Sequence, residues 1–138
     1  MDQITQRIAD SFSRQSLMAT FGATLGTVTP GSVTIHAPIL PLALQQAGMG
    51  HGGLVFSLGD SAAGYSALSL MPESQEVVTS ELKINFLGPA TGDELIARGK
   101  VVRNGKRLVV VTAEVSARTG KEEALIAILQ GTMVPVPA

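Results

Sequence analysis

The chain of 138 residues has no cysteine and no tryptophan, and only one tyrosine, four phenylalanines and two histidines. Without cysteine there are no disulfides, thiolate nucleophiles or Cys-based metal sites, and the composition fits a reducing cytoplasm. The two dispersed histidines, His36 and His51, make a poor ligand set by themselves, so no metal is expected. Charge is also scarce, at 15% of residues with a net charge of −1. The basic field of a nucleic-acid-binding domain is missing, and no nucleic-acid partner is expected. No Walker-type loop competes for a phosphate-binding role, and no cofactor is expected. The N-terminal stretch MDQITQRIADSFSRQ mixes both charge signs and lacks the apolar segment of a signal peptide.

Long hydrophobic runs are limited to one, Gly52 to Met71. Its length is close to what a bilayer requires. However, it carries Asp60 near its centre, and a central aspartate costs roughly 2.5–3.5 kcal/mol to insert. The run is rich in Gly, Ser and Ala and has no Lys/Arg asymmetry at its flanks. It reads as a buried helix of a soluble protein, with no membrane partner.

What the chain does have is apolar residues, 45% of the total, enough for a folded chain with one sizeable core and a single domain over 1–138. Ile4, Ile8 and Phe12 recur at a spacing of four, which predicts an amphipathic helix near the N-terminus, within residues 1–16. Ala23 to Ala37 is β-prone and broken by a turn at Pro30-Gly31. Pro38 to Gly50 reads as an approach loop, followed by the central helix over 51–71, ended by Pro72.

Beyond Pro72 the period changes to alternation, with Leu82, Ile84 and Phe86 on one face and Glu81, Lys83 and Asn85 on the other. Gly88-Pro89 ends that strand. Leu95–Arg103 and Lys106–Ala117 are the next two, joined by a hairpin at Asn104-Gly105. Thr119-Gly120-Lys121 turns into a last strand, Glu122 to Val134. A helix apolar on every side needs cover on every side. The expected class is therefore α+β, a curved antiparallel sheet wrapped around one long central helix. The uncovered side and the sheet edge favour a dimer.

The element order, His51-Gly52-Gly53, and Asp60 nine residues after the histidine together resemble the hotdog-fold thioesterases of the phenylacetic-acid-degradation type. In that family a central helix begins at His-Gly-Gly and carries a catalytic Asp at this spacing. Val78 to Ala90 is similar to the family's third strand with its proline turn, and Val102–Arg107 and Val111–Val115 have family-like character. The resemblance covers roughly residues 22 to 134.

The resemblance implies hydrolysis of an aryl- or medium-chain acyl-CoA to free acid and CoA. Asp60 would act as general base or as nucleophile. Gly53 would offer its N–H to the thioester carbonyl at a helix N-terminus, with Gly52 allowing close approach of substrate. Gln45 lies where the family places an Asn or Gln, although Gln46 leaves the register open, and Thr79 matches a Ser/Thr position near the carboxylate. His51 is expected to organise the loop, while His36 has no motif around it. Arg103, Lys106 and Arg107 flank the hairpin and are candidates for contact with CoA phosphates.

Gly53 and Asp60 are seven residues apart, about 10 Å along one helix. A single helix does not readily bring both to one carbonyl, whereas two antiparallel copies do. The minimal active unit expected is thus a homodimer, built up to a homotetramer as a dimer of dimers. A hydratase on the same fold is disfavoured because His51 precedes the helix. The remaining alternative is a non-catalytic acyl-CoA-binding or regulatory module, for which a buried acid has no use.

Overall fold

The computed structural model describes residues 1–138. Two helices, α1 (Gln3–Ser13) and α2 (Ser16–Thr20), precede a hairpin of β1 (Thr24–Thr29) and β2 (Ser32–Ala37). A 3-10 turn at Pro41–Ala43 leads to the long helix α3 (Gly52–Leu68). Four strands follow: β3 (Gln75–Phe86), β4 (Glu94–Asn104), β5 (Val109–Thr119) and β6 (Glu122–Pro137). All pairings are antiparallel, in the order β1-β2-β4-β5-β6-β3. The expected α+β arrangement, a curved antiparallel sheet around a central helix, is the one found.

Helix α3 packs on β2, β3, β4, β5 and β6. Leu54, Leu58, Ala62, Ala63 and Leu68 are among its buried residues. Close approach of helix and sheet depends on Gly99 of β4, where a Cβ would collide with the backbone of Ala62 and Ala63. Ser66 in the helix and Ser69 at its C-cap are satisfied locally and also serve the hairpin. Ser66 Oγ donates to the Ala62 carbonyl and accepts from Val33 N–H at 2.9 Å. Ser69 Oγ donates to the Ser66 carbonyl and accepts from Gly31 N–H at 2.8 Å. The buried hydroxyls thereby dock β1–β2 on the helix with no polar group stranded.

Several boundaries differ from the sequence reading. The N-terminal helix stops at Ser13 rather than running to residue 16, because Gln15 takes an extended conformation (φ −86°, ψ 95°) and starts α2. Helix α3 ends at Leu68, three residues before Met71, because the chain tightens there: Leu70 and Met71 N–H pair three residues back, with the Ala67 and Leu68 carbonyls. Arg7 of α1 then donates to the Met71 carbonyl at 2.7 Å and to that of Gln75, closing the helix-to-strand turn. Asn104 remains paired with Val109, so the β4–β5 loop is Gly105–Leu108 and β5 begins three residues later than Lys106.

Strand β6 continues past Val134 to Pro137. Its prolines are tolerated because β5 extends no further than its first residue, Val109, opposite Met133. Ala138 N–H donates towards β3, to Ser74, so Pro135 and Pro137 turn their missing donors to the side no strand occupies. Leu82, Ile84 and Phe86 share one face of β3, as the alternation predicts; the first two pack on the core, and Phe86, 54% exposed at the strand end, turns its ring towards Gly52 of α3.

His36 is not incidental to the fold. Its Nδ1 lies 3.2 Å from Glu94 Oε1, and Arg118 Nε reaches the same oxygen at 3.2 Å, linking β2, β4 and β5. Burial opposes ionisation of Glu94, but hydrogen bonds from His36 and Arg118 outweigh it and hold the carboxyl below the ordinary value of 4.5. A carboxyl depressed on folding contributes stability above its unfolded pKa and loses it as pH falls through the folded value. Glu94→Gln should therefore lower the melting temperature at pH 7. The gap from wild type should narrow as pH drops below about 4.5. Thermal melts followed by circular dichroism across that range test it, and a gap independent of pH would remove the ion pair from the explanation.

Candidate active site

The least covered face of α3 runs through Gly53, Ser57, Asp60 and Ser61, at helical spacing, while Ala62 to Ser69 are all buried. Asp60 is half-buried at the point where the helix emerges from the core. Its Oδ1 accepts from Thr79 Oγ1 at 2.7 Å, the length of a charge-assisted O–H···O⁻ bond. Oδ2 has no partner in the chain, and no cation pairs with the carboxylate. Thr79 is aimed by a local irregularity: Thr79 pairs with Met133 and Glu81 with Thr132, so Ser80 is an extra residue in β3. A cavity of about 190 Å³ opens here, lined by Asp60, Ser61, Gly64, Tyr65, Val77 and Thr79 among others.

A second constellation sits at the N-terminus of the same helix. His51 caps it with extended backbone angles (φ −65°, ψ 145°), and its Nδ1 accepts from Gly53 N–H at 2.7 Å. Nδ1 is therefore unprotonated, and the neutral ring carries its hydrogen on Nε2. Leu54 and Val55 N–H both go to the His51 carbonyl. The amide left without a partner in the chain is that of Gly52, at the positive end of the helix dipole. This corrects the expectation for Gly53, whose hydrogen is already committed to the histidine ring.

Gly52 is also where the Phe86 ring approaches; a Cβ there would lie 3.0 Å from Phe86 Cζ. Gln45 closes a tight turn, its N–H donating to the Met49 carbonyl at 2.8 Å, and its Oε1 accepts from the amides of Ala47 and Met49. With Oε1 occupied, the Nε2 hydrogens are the free end of the side chain. Gln45, Gly52, Val55 and Phe86 share a cavity of about 430 Å³. Gln46 is exposed and does not line it.

Within one chain these are two separate groups, His51, Gly52 and Gln45 at the helix start and Asp60 with Thr79 further along. Arg103, Lys106 and Arg107 belong to neither. All three are exposed, none forms an ion pair, and their hairpin packs by Gly105 and Lys106 near Leu70–Pro72, at the opposite end of α3 from Gly52. Sequence reasoning overlooked the far wall of the Asp60 cavity, where Tyr65, Gln15 and Ser11 meet. The one available signal was the chain's single tyrosine, five residues after Asp60 in an apolar helix.

The model of the thioesterase superfamily matches residues 47–124. The chain belongs to that family. A thioesterase family protein from Silicibacter pomeroyi is similar in both sequence and structure, at 41% identity and a TM-score of 0.95 over 98% of this chain and 99% of that one. A Saccharolobus solfataricus protein named "Putative esterase SSO2140" is 34% identical over 91 residues, 66% of this chain. The chain spans 64% of the length of that relative and 55% of a second from the same organism. The E. coli PaaI protein from the phenylacetic acid degradation operon shares the fold, with a TM-score of 0.88 at 23% identity over 98% of this chain and 94% of that one. No helix is long and apolar enough to cross a membrane.

Proposed function

We propose that the protein is an acyl-CoA thioesterase that releases a free acid and coenzyme A. The observation that carries this reading is the Asp60–Thr79 pair, one carboxylate oxygen held and the other open to a cavity. In the proposed reaction Oδ2 takes a proton from water as it attacks the thioester carbon, or itself attacks to form a transient mixed anhydride. Thr79 keeps the carboxylate oriented in either case. The CoA thiolate is a good leaving group and needs no strong acid.

The carbonyl oxygen is polarised by the Gly52 N–H and Gln45 Nε2, with His51 holding the neighbouring Gly53 amide and so fixing the turn. Gly52 and Asp60 are eight residues apart on one helix, about 12 Å at 1.5 Å per residue. The donors and the base acting on one substrate therefore come from two copies of α3 running antiparallel. The free edge of β3, with Val78 and Phe86 exposed along it, supports a homodimer as the active unit. Pairing of two such dimers into a homotetramer leaves each composite site intact. Arg103, Lys106 and Arg107, cations without carboxylate partners, are assigned to the CoA phosphates, and the cytoplasm to the location.

The test is release of free CoA from a panel of aryl-acetyl, benzoyl and aliphatic acyl-CoAs. The origin of the PaaI protein puts phenylacetyl-CoA first on it. Turnover of at least one class is expected; binding of acyl-CoA without release would make the protein a binding module instead.

A further inference from the structure

The far wall of the Asp60 cavity is built from hydroxyl and amide groups, in a place where an acyl chain would ordinarily meet hydrocarbon. Gln15, displaced from helix by the break between α1 and α2, reaches α3 with both ends of its amide. Its Nε2 donates to Tyr65 OH at 3.0 Å, and its Oε1 accepts from Ser61 Oγ at 2.9 Å. Ser11 Oγ lies 3.2 Å from the same phenol oxygen. The Tyr65 ring, 6% exposed, is fixed against Phe12 with centroids 6.1 Å apart.

Counting hydrogens exposes a surplus. The Gln15 amide hydrogen occupies one acceptor site on the phenol oxygen. Ser11 and Tyr65 share a single hydrogen bond but own two hydroxyl hydrogens. One of the two therefore has no acceptor in the chain. The wall that faces Asp60 ends in an unused donor, and a ligand acceptor would complete it.

Charge narrows the acceptor further. Glu76 lines the same cavity as Asp60, and no basic side chain does. The nearest guanidinium, that of Arg7, is committed to the carbonyls of Met71 and Gln75. A carboxylate-tipped acyl chain would meet two acids and no cation, so a neutral acceptor is favoured. Five residues separate Asp60 from Tyr65, about 7 Å along α3 at 1.5 Å per residue.

We infer that Tyr65, held by Gln15 and Ser11, is a specificity determinant that donates a hydrogen bond to a neutral acceptor, such as a hydroxyl, on the distal part of the acyl group. This rests on the reading of Asp60 as the reacting acid. The preferred substrates are acyl-CoAs with a polar, uncharged tip about 7 Å beyond the thioester.

The experiment measures kcat/KM for matched ω-hydroxyhexanoyl-CoA, hexanoyl-CoA and adipoyl-CoA with wild type, Tyr65→Phe, Ser11→Ala and Asp60→Asn. Wild type should prefer the hydroxylated chain over hexanoyl-CoA by up to about tenfold, the scale of one net hydrogen bond. Adipoyl-CoA should be the poorest of the three. Tyr65→Phe keeps the ring against Phe12, so its rate on hexanoyl-CoA should stay near wild type while the preference collapses to about one. Ser11→Ala should keep the preference. A wild-type ratio near one, or a ratio unchanged in Tyr65→Phe, overturns the inference while Asp60→Asn still reports on the thioesterase reading. Undiminished hydrolysis by Asp60→Asn removes Asp60 as the reacting acid, and the inference with it, while leaving the protein a thioesterase; no CoA released from these three chains overturns the inference alone.

Discussion

Asp60→Asn is expected to lower kcat for acyl-CoA hydrolysis by about 10²-fold or more, with KM and fold retained. The substitution preserves side-chain size, and the amide oxygen can still accept from Thr79 Oγ1. Because no cation pairs with the carboxylate, removing its charge strands no partner in the chain. Melting temperature should shift little, so a fall in kcat reads the chemistry rather than the scaffold. Free CoA release under saturating substrate, with a thermal melt alongside, separates the two. Equal activity in both proteins would make Asp60 a structural residue. For an active wild type, one turnover in ¹⁸O-water then tests the two proposed routes: label in Asp60 itself requires an anhydride opened at the aspartyl carbonyl, whereas label only in the released acid is common to general-base attack and to an anhydride opened at the acyl carbonyl.

Asp60 was legible because a lone charge in an apolar helix must have either a partner or a cavity, and sequence alone displays the anomaly. The fold was legible for a similar reason: period changes and turn residues show where helix gives way to strand. The identity of the free amide was not. His51-Gly52-Gly53 marks a helix start, but which N–H remains unpaired depends on where the His51 ring turns, and only the bond to Gly53 reveals it. Phe86 obeys the alternation that places Leu82 and Ile84 inside, yet it lies at the end of β3 over Gly52, where the core no longer covers it. The Tyr65 network was the least visible part. Its partners Ser11 and Gln15 stand 54 and 50 residues away, on α1 and at the cap of α2, a separation across which no local pattern encodes a contact.

Gln45→Glu carries the second large expectation and tests the composite site directly. The carboxylate can keep the turn bonds to Ala47 and Met49, but it replaces the free donor with an acceptor and adds negative charge where oxyanion character develops. Loss of one such donor costs about 10²–10³-fold in rate, and repulsion adds to it. Gln45→Glu and Asp60→Asn should therefore each be nearly inactive alone. If Gln45 and Gly52 of one copy act with Asp60 of the other, a mixed dimer holds one site with both defects and one with neither. Random reassortment makes half the dimers mixed, so unfolding the two variants together and refolding them should restore about a quarter of wild-type activity. If all the groups act within one chain, no mixed dimer contains an intact site, and activity stays at the sum of the two residual rates. The difference between these outcomes is more than tenfold. The refolded mixture thus decides whether the roughly 12 Å between Gly52 and Asp60 along a single helix is bridged by a second copy of that helix.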